Sequence, residues 1–116
     1  MIERGDVFYA DLSPVPSAGE GGLRPVLIVQ SYVGEKNSPT VIAVEITSEI
    51  PQTLLSTQVK IGASESGLSN DFVILIEQTR TVDKLRLKEK IGHLDKQIMQ
   101  NVDAAISESF GLCSEE

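Results

Sequence analysis

At 116 residues the chain is long enough for one domain with a modest core, and residues 1–116 read as a single unit. Apolar residues make up 41% and charged residues 23%, but with two Tyr, three Phe and no Trp the core must be built from Val, Ile and Leu. A net charge of −7 opposes long-range attraction of nucleic acid, no apolar run reaches the roughly 18–20 residues of a membrane span, and one cysteine cannot form an internal disulfide.

The first six residues, Met1-Ile2-Glu3-Arg4-Gly5-Asp6, lack the basic-then-apolar pattern of a signal peptide. The unpaired Cys113 fits a reducing compartment, so a cytoplasmic location is expected. Cys113 lies close to the C-terminus among Ser114-Glu115-Glu116, a poor setting for a nucleophile, because reactive thiols need an electropositive environment.

Residues 5–12 predict a strand, with Phe8, Ala10 and Leu12 on one face and Val7, Tyr9 and Asp11 on the other. Residues 13–22 carry Pro14, Pro16, Ser17, Gly19, Gly21 and Gly22 and read as a loop. Residues 25–30 form a short, nearly all-apolar strand, and 31–39 a second loop. Residues 40–47, rich in Val and Ile, predict a strong strand. Residues 48–55 are irregular, since Pro51 cannot donate to a central ladder. A strand follows at 56–61, then a polar turn region to 70. Residues 71–78 hold Phe72-Val73-Ile74-Leu75-Ile76, the clearest buried strand. A single helical turn capped by Thr81 is expected over 81–85, and a short strand over 87–93.

From Asp95 onward, apolar residues recur at Ile98, Val102, Ala105, Ile106 and Phe110, a stripe at helical spacing. Asp95 suits the N-cap and Gly111 the C-terminal stop. Five to seven short strands and one amphipathic helix point to an α+β fold that is mainly β: a small, strongly bent sheet or barrel with a C-terminal helix laid on it.

The chain shows no metal-ligand cluster by spacing, no Ser/His/Asp set and no phosphate-cradling glycine motif, so neither a metal nor an organic cofactor is expected. What remains is a cation at the start of one strand, Arg24, and a hydroxyl at the end of another, Thr47. An arginine fork and a hydroxyl can converge on a phosphate. The only histidine, His93, has no neighbour in sequence that would orient it and reads as structural or exposed. Basic residues gather at Arg80, Lys84, Arg86, Lys88, Lys90 and Lys96, a run that reads as a solvated face.

Six segments occur in the order seen in MazF/PemK-type toxins. They are Arg4-Gly5-Asp6-Val7, Ala10-Asp11-Leu12-Ser13-Pro14, Gly21-Gly22-Leu23-Arg24-Pro25-Val26-Leu27, Ser38-Pro39-Thr40, Ile46-Thr47 and Glu77-Gln78-Thr79-Arg80-Thr81-Val82-Asp83-Lys84. The chain resembles that family over nearly its whole length, most of all the MazF branch of Gram-positive bacteria. The resemblance implies an SH3-like, CcdB/PemK-type small barrel and a homodimer. It implies the toxin half of a toxin–antitoxin pair, a metal- and ribosome-independent endoribonuclease that cuts single-stranded RNA at a short motif. It also implies a cognate MazE-like antitoxin that occupies the RNA groove. By the same resemblance the catalytic pair falls on Arg24 and Thr47. RNA-binding positions fall on Ser17, Gly19, Glu20, Gly21 and Gly22 of the first loop, and on Leu55, Glu77 and Gln78.

Two departures bear on function. Glu45 stands where relatives carry a small apolar residue, and alternation puts it on the same side as Thr47. It reads either as an accessory carboxylate near the scissile phosphate or as a paired charge at the rim. In the first loop, Ser17-Ala18-Gly19-Glu20-Gly21-Gly22 differs from the family's usual Gly-Ser-Glu-Gln-Gly-Gly, and Gln52 and Leu54 replace lysines that relatives often carry. Each lost phosphate contact flattens the salt dependence of RNA binding by about one unit. The rival readings are a toxin of the same fold that binds a protein such as a topoisomerase, and a catalytically weak antitoxin-binding module.

Overall fold

The computed structural model describes residues 2–12, 22–31, 37–66 and 69–112. Among these residues, six strands form one antiparallel sheet: β1 (Asp6–Asp11), β2 (Leu23–Ile28), β3 (Thr40–Thr47), β4 (Gln58–Ile61), β5 (Phe72–Asp83) and β6 (Leu87–His93). Their order across the sheet is β4-β5-β3-β2-β1-β6. The mainly β, α+β class is as expected. The outermost strands β4 and β6 do not pair with each other, so the sheet is open and not a closed barrel. A short helix, α1 (Ala63–Ser66), joins β4 to β5, and a long one, α2 (Lys96–Ser109), ends the fold.

Strand alternation divides the apolar residues between two cores. Val7, Leu27, Val44, Ile46, Ile74 and Ile76 pack with Leu94, Ile98, Met99, Val102 and Ala105, under α2. Phe8, Ala10, Val26, Ile28, Val41, Ala43 and Val82 form the second core, closed by Ile2, Leu12 and Leu87. The helix begins where Asp95 Oδ1 accepts the Ile98 amide at 2.9 Å, an N-cap that satisfies one orphan donor. It ends in a Schellman pattern: Leu112 donates to the Ser107 carbonyl at 2.8 Å and Gly111, at φ +72°, to Glu108 at 3.3 Å. Phe110, the last member of the apolar stripe, is the C-cap just before this stop and is exposed. Met99, which the stripe omitted, is buried. Among the described residues no helix is long and apolar enough to cross a membrane.

β5 corrects one expected element. The strand runs on through Thr81 to Asp83, pairing Thr79–Asp83 with Val44–Thr40 of β3. The helical turn is a 3-10 turn over Lys84–Arg86, and its cap is Asp83, whose Oδ1 accepts from the Leu85 amide. Thr81 is extended because β3 supplies its ladder partners, which no local pattern reveals. Between Val44 and Glu45 the β5 partner jumps from Thr79 to Leu75, leaving Ile76, Glu77 and Gln78 in a bulge. The Thr79 hydroxyl donates to the Ile76 carbonyl and pins it.

The N-terminal Arg4-Gly5-Asp6 segment is a staple. Arg4 Nε donates to the Val29 carbonyl at 2.8 Å and its Nη2 meets Asp103 of α2 at 2.6 Å. Gly5 adopts φ +99° with the His93 ring close by, where a Cβ would come within 3.1 Å of the imidazole. Asp6 is fully buried; its carboxylate accepts from the Glu3 amide (2.8 Å), His93 Nδ1 (2.7 Å) and Lys90 Nζ (3.2 Å). The partner that orients His93 is therefore far away in sequence.

Burial pushes the Asp6 carboxyl up, but the hydrogen bonds from His93, the Glu3 amide and Lys90 outweigh it and hold the pKa below its ordinary 3.8. A carboxyl depressed in the folded state stabilises above its unfolded value, and that contribution is lost as pH falls through the folded one. Asp6→Asn is expected to destabilise the fold by about 2 kcal/mol at neutral pH. In denaturant titrations the gap to wild type should narrow as the pH drops below 3.8. A gap that stays constant down to strong acid would show that the carboxylate's charge is not what stabilises.

Candidate active site

β2 is exposed at its start and buried at its end: Leu23 and Arg24 reach solvent while Val26, Leu27 and Ile28 are fully covered. Arg24 pairs with Ala10 of β1. On the other side, Val26 pairs with Glu45 and Leu27 with Val44 of β3. That register, carried on to Arg24, sets it opposite Thr47, the last residue of β3. Arg24 and Thr47 line one cleft of about 240 Å³, with Pro25, Ile46 and Phe72 as its apolar wall and Ser48 and Glu49 at its rim. The tertiary fold thus brings together the two residues singled out in the sequence.

Both keep donors available. Among the described residues the Arg24 guanidinium makes no hydrogen bond or ion pair, so its fork of N–H groups is uncommitted. The Thr47 hydroxyl oxygen accepts the Glu49 amide at 3.1 Å. A hydroxyl has one proton to give and two lone pairs; with one lone pair engaged by a backbone N–H, its proton stays free to donate. The turn after β3 therefore holds the Thr47 hydroxyl oxygen in place while leaving its proton available.

The other expected site residues are distributed differently. Glu77, in the β5 bulge, accepts from Thr57 Oγ1 at 3.2 Å and Gln58 Nε2 at 2.8 Å, and Gln58 Oε1 in turn accepts the Leu55 amide at 3.0 Å. This network holds exposed Leu55 and Glu77 together, with Gln78 beside them, but none of the three lines the Arg24–Thr47 cleft. The Gly22 carbonyl accepts the Leu12 amide at 2.7 Å, joining β1 to β2. Ser17, Gly19, Glu20 and Gly21 lie outside the described residues, as does Cys113.

Glu45 meets Arg80 Nη1 at 3.1 Å across the β3–β5 pair and does not line the cleft. Glu45→Ala is accordingly expected to leave any activity of the cleft within about twofold of wild type across pH, and to cost under about 1 kcal/mol of stability. A variant slowed tenfold, with an altered pH profile, would restore it as an accessory carboxylate. The basic run is also committed in part to the fold. Arg80 pairs with Glu45, Arg86 donates to the Asp11 carbonyl at 2.9 Å, and Lys90 meets Asp6.

Sequence reasoning missed Glu49 and Phe72. Glu49 sat in a segment read only as irregular, and Phe72 looked like an ordinary core residue, since β alternation does not reveal a cleft at the sheet's end.

A model of PemK-like, MazF-like toxins of type II toxin–antitoxin systems matches residues 3–110. The chain belongs to that family. The toxin is 48% identical over 112 residues to endoribonuclease EndoA of Bacillus subtilis, covering 97% of both chains. It is 50% identical over 112 residues to endoribonuclease MazF of Staphylococcus saprophyticus, covering 97% of this chain and 93% of that one. Its fold matches a mycobacterial endoribonuclease solved with its cognate antitoxin, at TM-score 0.80 and 23% identity, covering 99% of this chain and 100% of that one. Mycobacterium tuberculosis toxin MazF-mt6 superposes at TM-score 0.77 and 24% identity, over 94% and 99%. Within the toxin the family-like segments divide their work. Arg4-Gly5-Asp6 ties the N-terminus to β6 and α2, whereas Arg24-Pro25 and Ile46-Thr47 meet in the cleft.

Proposed function

We propose that this toxin is a sequence-specific endoribonuclease that cuts single-stranded RNA by attack of the RNA's own 2′-hydroxyl on the neighbouring phosphate. The observation that carries the reading is the convergence of uncommitted donors from Arg24 and Thr47 in one cleft. In-line attack builds negative charge on the phosphate's non-bridging oxygens. Arg24 can grip two of these in a planar fork, and Thr47 can donate a further hydrogen bond. Donors of this kind act most strongly where charge develops, so they lower the barrier more than they tighten binding. With the nucleophile supplied by the substrate, this scheme runs without a metal. The products are a 5′-hydroxyl and a 2′,3′-cyclic phosphate, which hydrolysis opens to a 3′-phosphate.

Leu55, Glu77 and Gln78 form a second exposed patch suited to reading unstacked bases through apolar and polar contacts. The first loop, with Ser17, Gly19, Glu20, Gly21 and Gly22, is assigned to the same RNA surface by resemblance. Single strands are favoured because an A-form duplex buries its base edges in a deep groove. The toxin acts in the cytoplasm as a homodimer, with two symmetric sites near the subunit boundary. Exposed Leu23, Ile42, Ile50 and Leu85 are apolar surface for a second subunit to cover. Its partner is a MazE-like antitoxin whose flexible segment blocks the RNA groove.

The test is incubation with a long, unstructured RNA in EDTA, followed by mapping of the new 5′ ends. Cuts confined to one short motif, absent in an Arg24→Ala control, are the expected result. A wild type no more active than that control would move the reading to a protein-binding toxin.

A further inference from the structure

The reaction needs an acceptor for the 2′-hydroxyl proton. Arg24 is unsuited, because a guanidinium stays protonated in proteins. Thr47 is unsuited too, because a neutral hydroxyl is too weak a base to take that proton. Glu45 is paired with Arg80, and His93 with Asp6, and neither lines the cleft. Among the described residues, one carboxylate does belong to a cleft-lining residue, that of Glu49. Among the described residues this carboxylate makes no hydrogen bond or ion pair. Arg24 is the other charged residue lining the cleft among those described, so these residues juxtapose one cation and one anion.

We propose that Glu49 is the general base of the cleavage step, an assignment that rests on the ribonuclease reading. Its backbone and side chain serve different ends. The amide holds the Thr47 hydroxyl at 3.1 Å, and the same tight turn places Glu49 among the residues lining the cleft. In the step, the Glu49 carboxylate takes the 2′-hydroxyl proton as the 2′-oxygen bonds to phosphorus. The bond from phosphorus to the 5′-oxygen breaks, and that oxygen takes a proton from solvent water. Glu49 then returns its proton to solvent, so the cleavage is a net transesterification. Arg24 and Thr47 hold the charge on the non-bridging oxygens meanwhile.

The division between amide and carboxylate makes the idea testable, because a side-chain substitution retains the bond to Thr47. The experiment is single-turnover cleavage of a labelled RNA in EDTA across the pH range, using wild type, Glu49→Gln, Glu49→Ala and Arg24→Ala. Glu49→Gln is expected to be slowed about 100-fold with KM little changed, and to lose the rise in rate with pH on the acid side. Added formate should restore part of the Glu49→Ala activity, and none to Arg24→Ala. A Glu49→Gln enzyme as fast as wild type or faster overturns the assignment and marks the carboxylate as a brake that repels phosphate. A slowed Glu49→Ala with an unchanged pH profile and no response to formate also overturns it. An inactive wild type would instead remove the ribonuclease reading itself.

Discussion

Arg24→Ala is expected to lower the rate of RNA cleavage by about 1,000-fold or more while leaving thermal unfolding unchanged. The magnitude follows from losing two donors aimed at developing charge, when one such donor is commonly worth about 2.7–4 kcal/mol in the transition state. Stability should not suffer, because Arg24 is exposed and makes no hydrogen bond or ion pair among the described residues. Arg24→Lys should remain slow, since an ammonium keeps the charge but not the planar fork. Binding of uncleaved RNA should weaken modestly, and its salt slope should fall by about one unit. Single-turnover rates and filter binding at several salt concentrations check both parts. An Arg24→Lys enzyme close to wild type would reduce Arg24 to a simple point charge.

Thr47→Val should slow cleavage about 100-fold, chiefly through kcat, whereas Thr47→Ser should retain most activity. Valine keeps the β-branched shape that β3 prefers but removes the hydroxyl. The same change frees the Glu49 amide, which now donates to Thr47 Oγ1. Glu49 is exposed, so water can take over that bond and the stability cost should stay below about 1 kcal/mol. Serine retains both the donor and the acceptor. If Thr47→Val matched wild type in kcat, Arg24 would be stabilising the transition state without help from β3.

Much of the fold was legible along the chain. The Val- and Ile-rich runs became β2, β3 and the first half of β5, and the 3.6-residue stripe after Asp95 became α2 with its cap in place. These are local signals, set by backbone preference and by the period at which apolar side chains must face a core. The errors fell where a partner strand decides the conformation. Thr81 looked like a helix cap and is instead a strand residue held against Ile42 of β3. Closure of the sheet into a barrel was likewise undecidable locally, because whether β4 meets β6 depends on the curvature of the whole sheet.

The site divides along the same line. Residue type and order alone were enough to single out Arg24 and Thr47 and to match the chain to its family. That they share a cleft is a matter of β2–β3 register, since a slip of one residue would turn each side chain to the other face. Asp6 carried no signal of its own in the sequence. Only folding sets it against His93 and Lys90 of β6, where its buried carboxylate is fully partnered. Glu49 lay in a segment read only as irregular, and only the turn after β3 brings it to the cleft beside Thr47. The sequence by itself determined most of the strands, the C-terminal helix and the chemical groups on offer, because each depends on neighbours within a turn or a strand. The tertiary structure decided which groups meet, because hydrogen bonding and charge act over a few ångströms of space, whatever the separation along the chain.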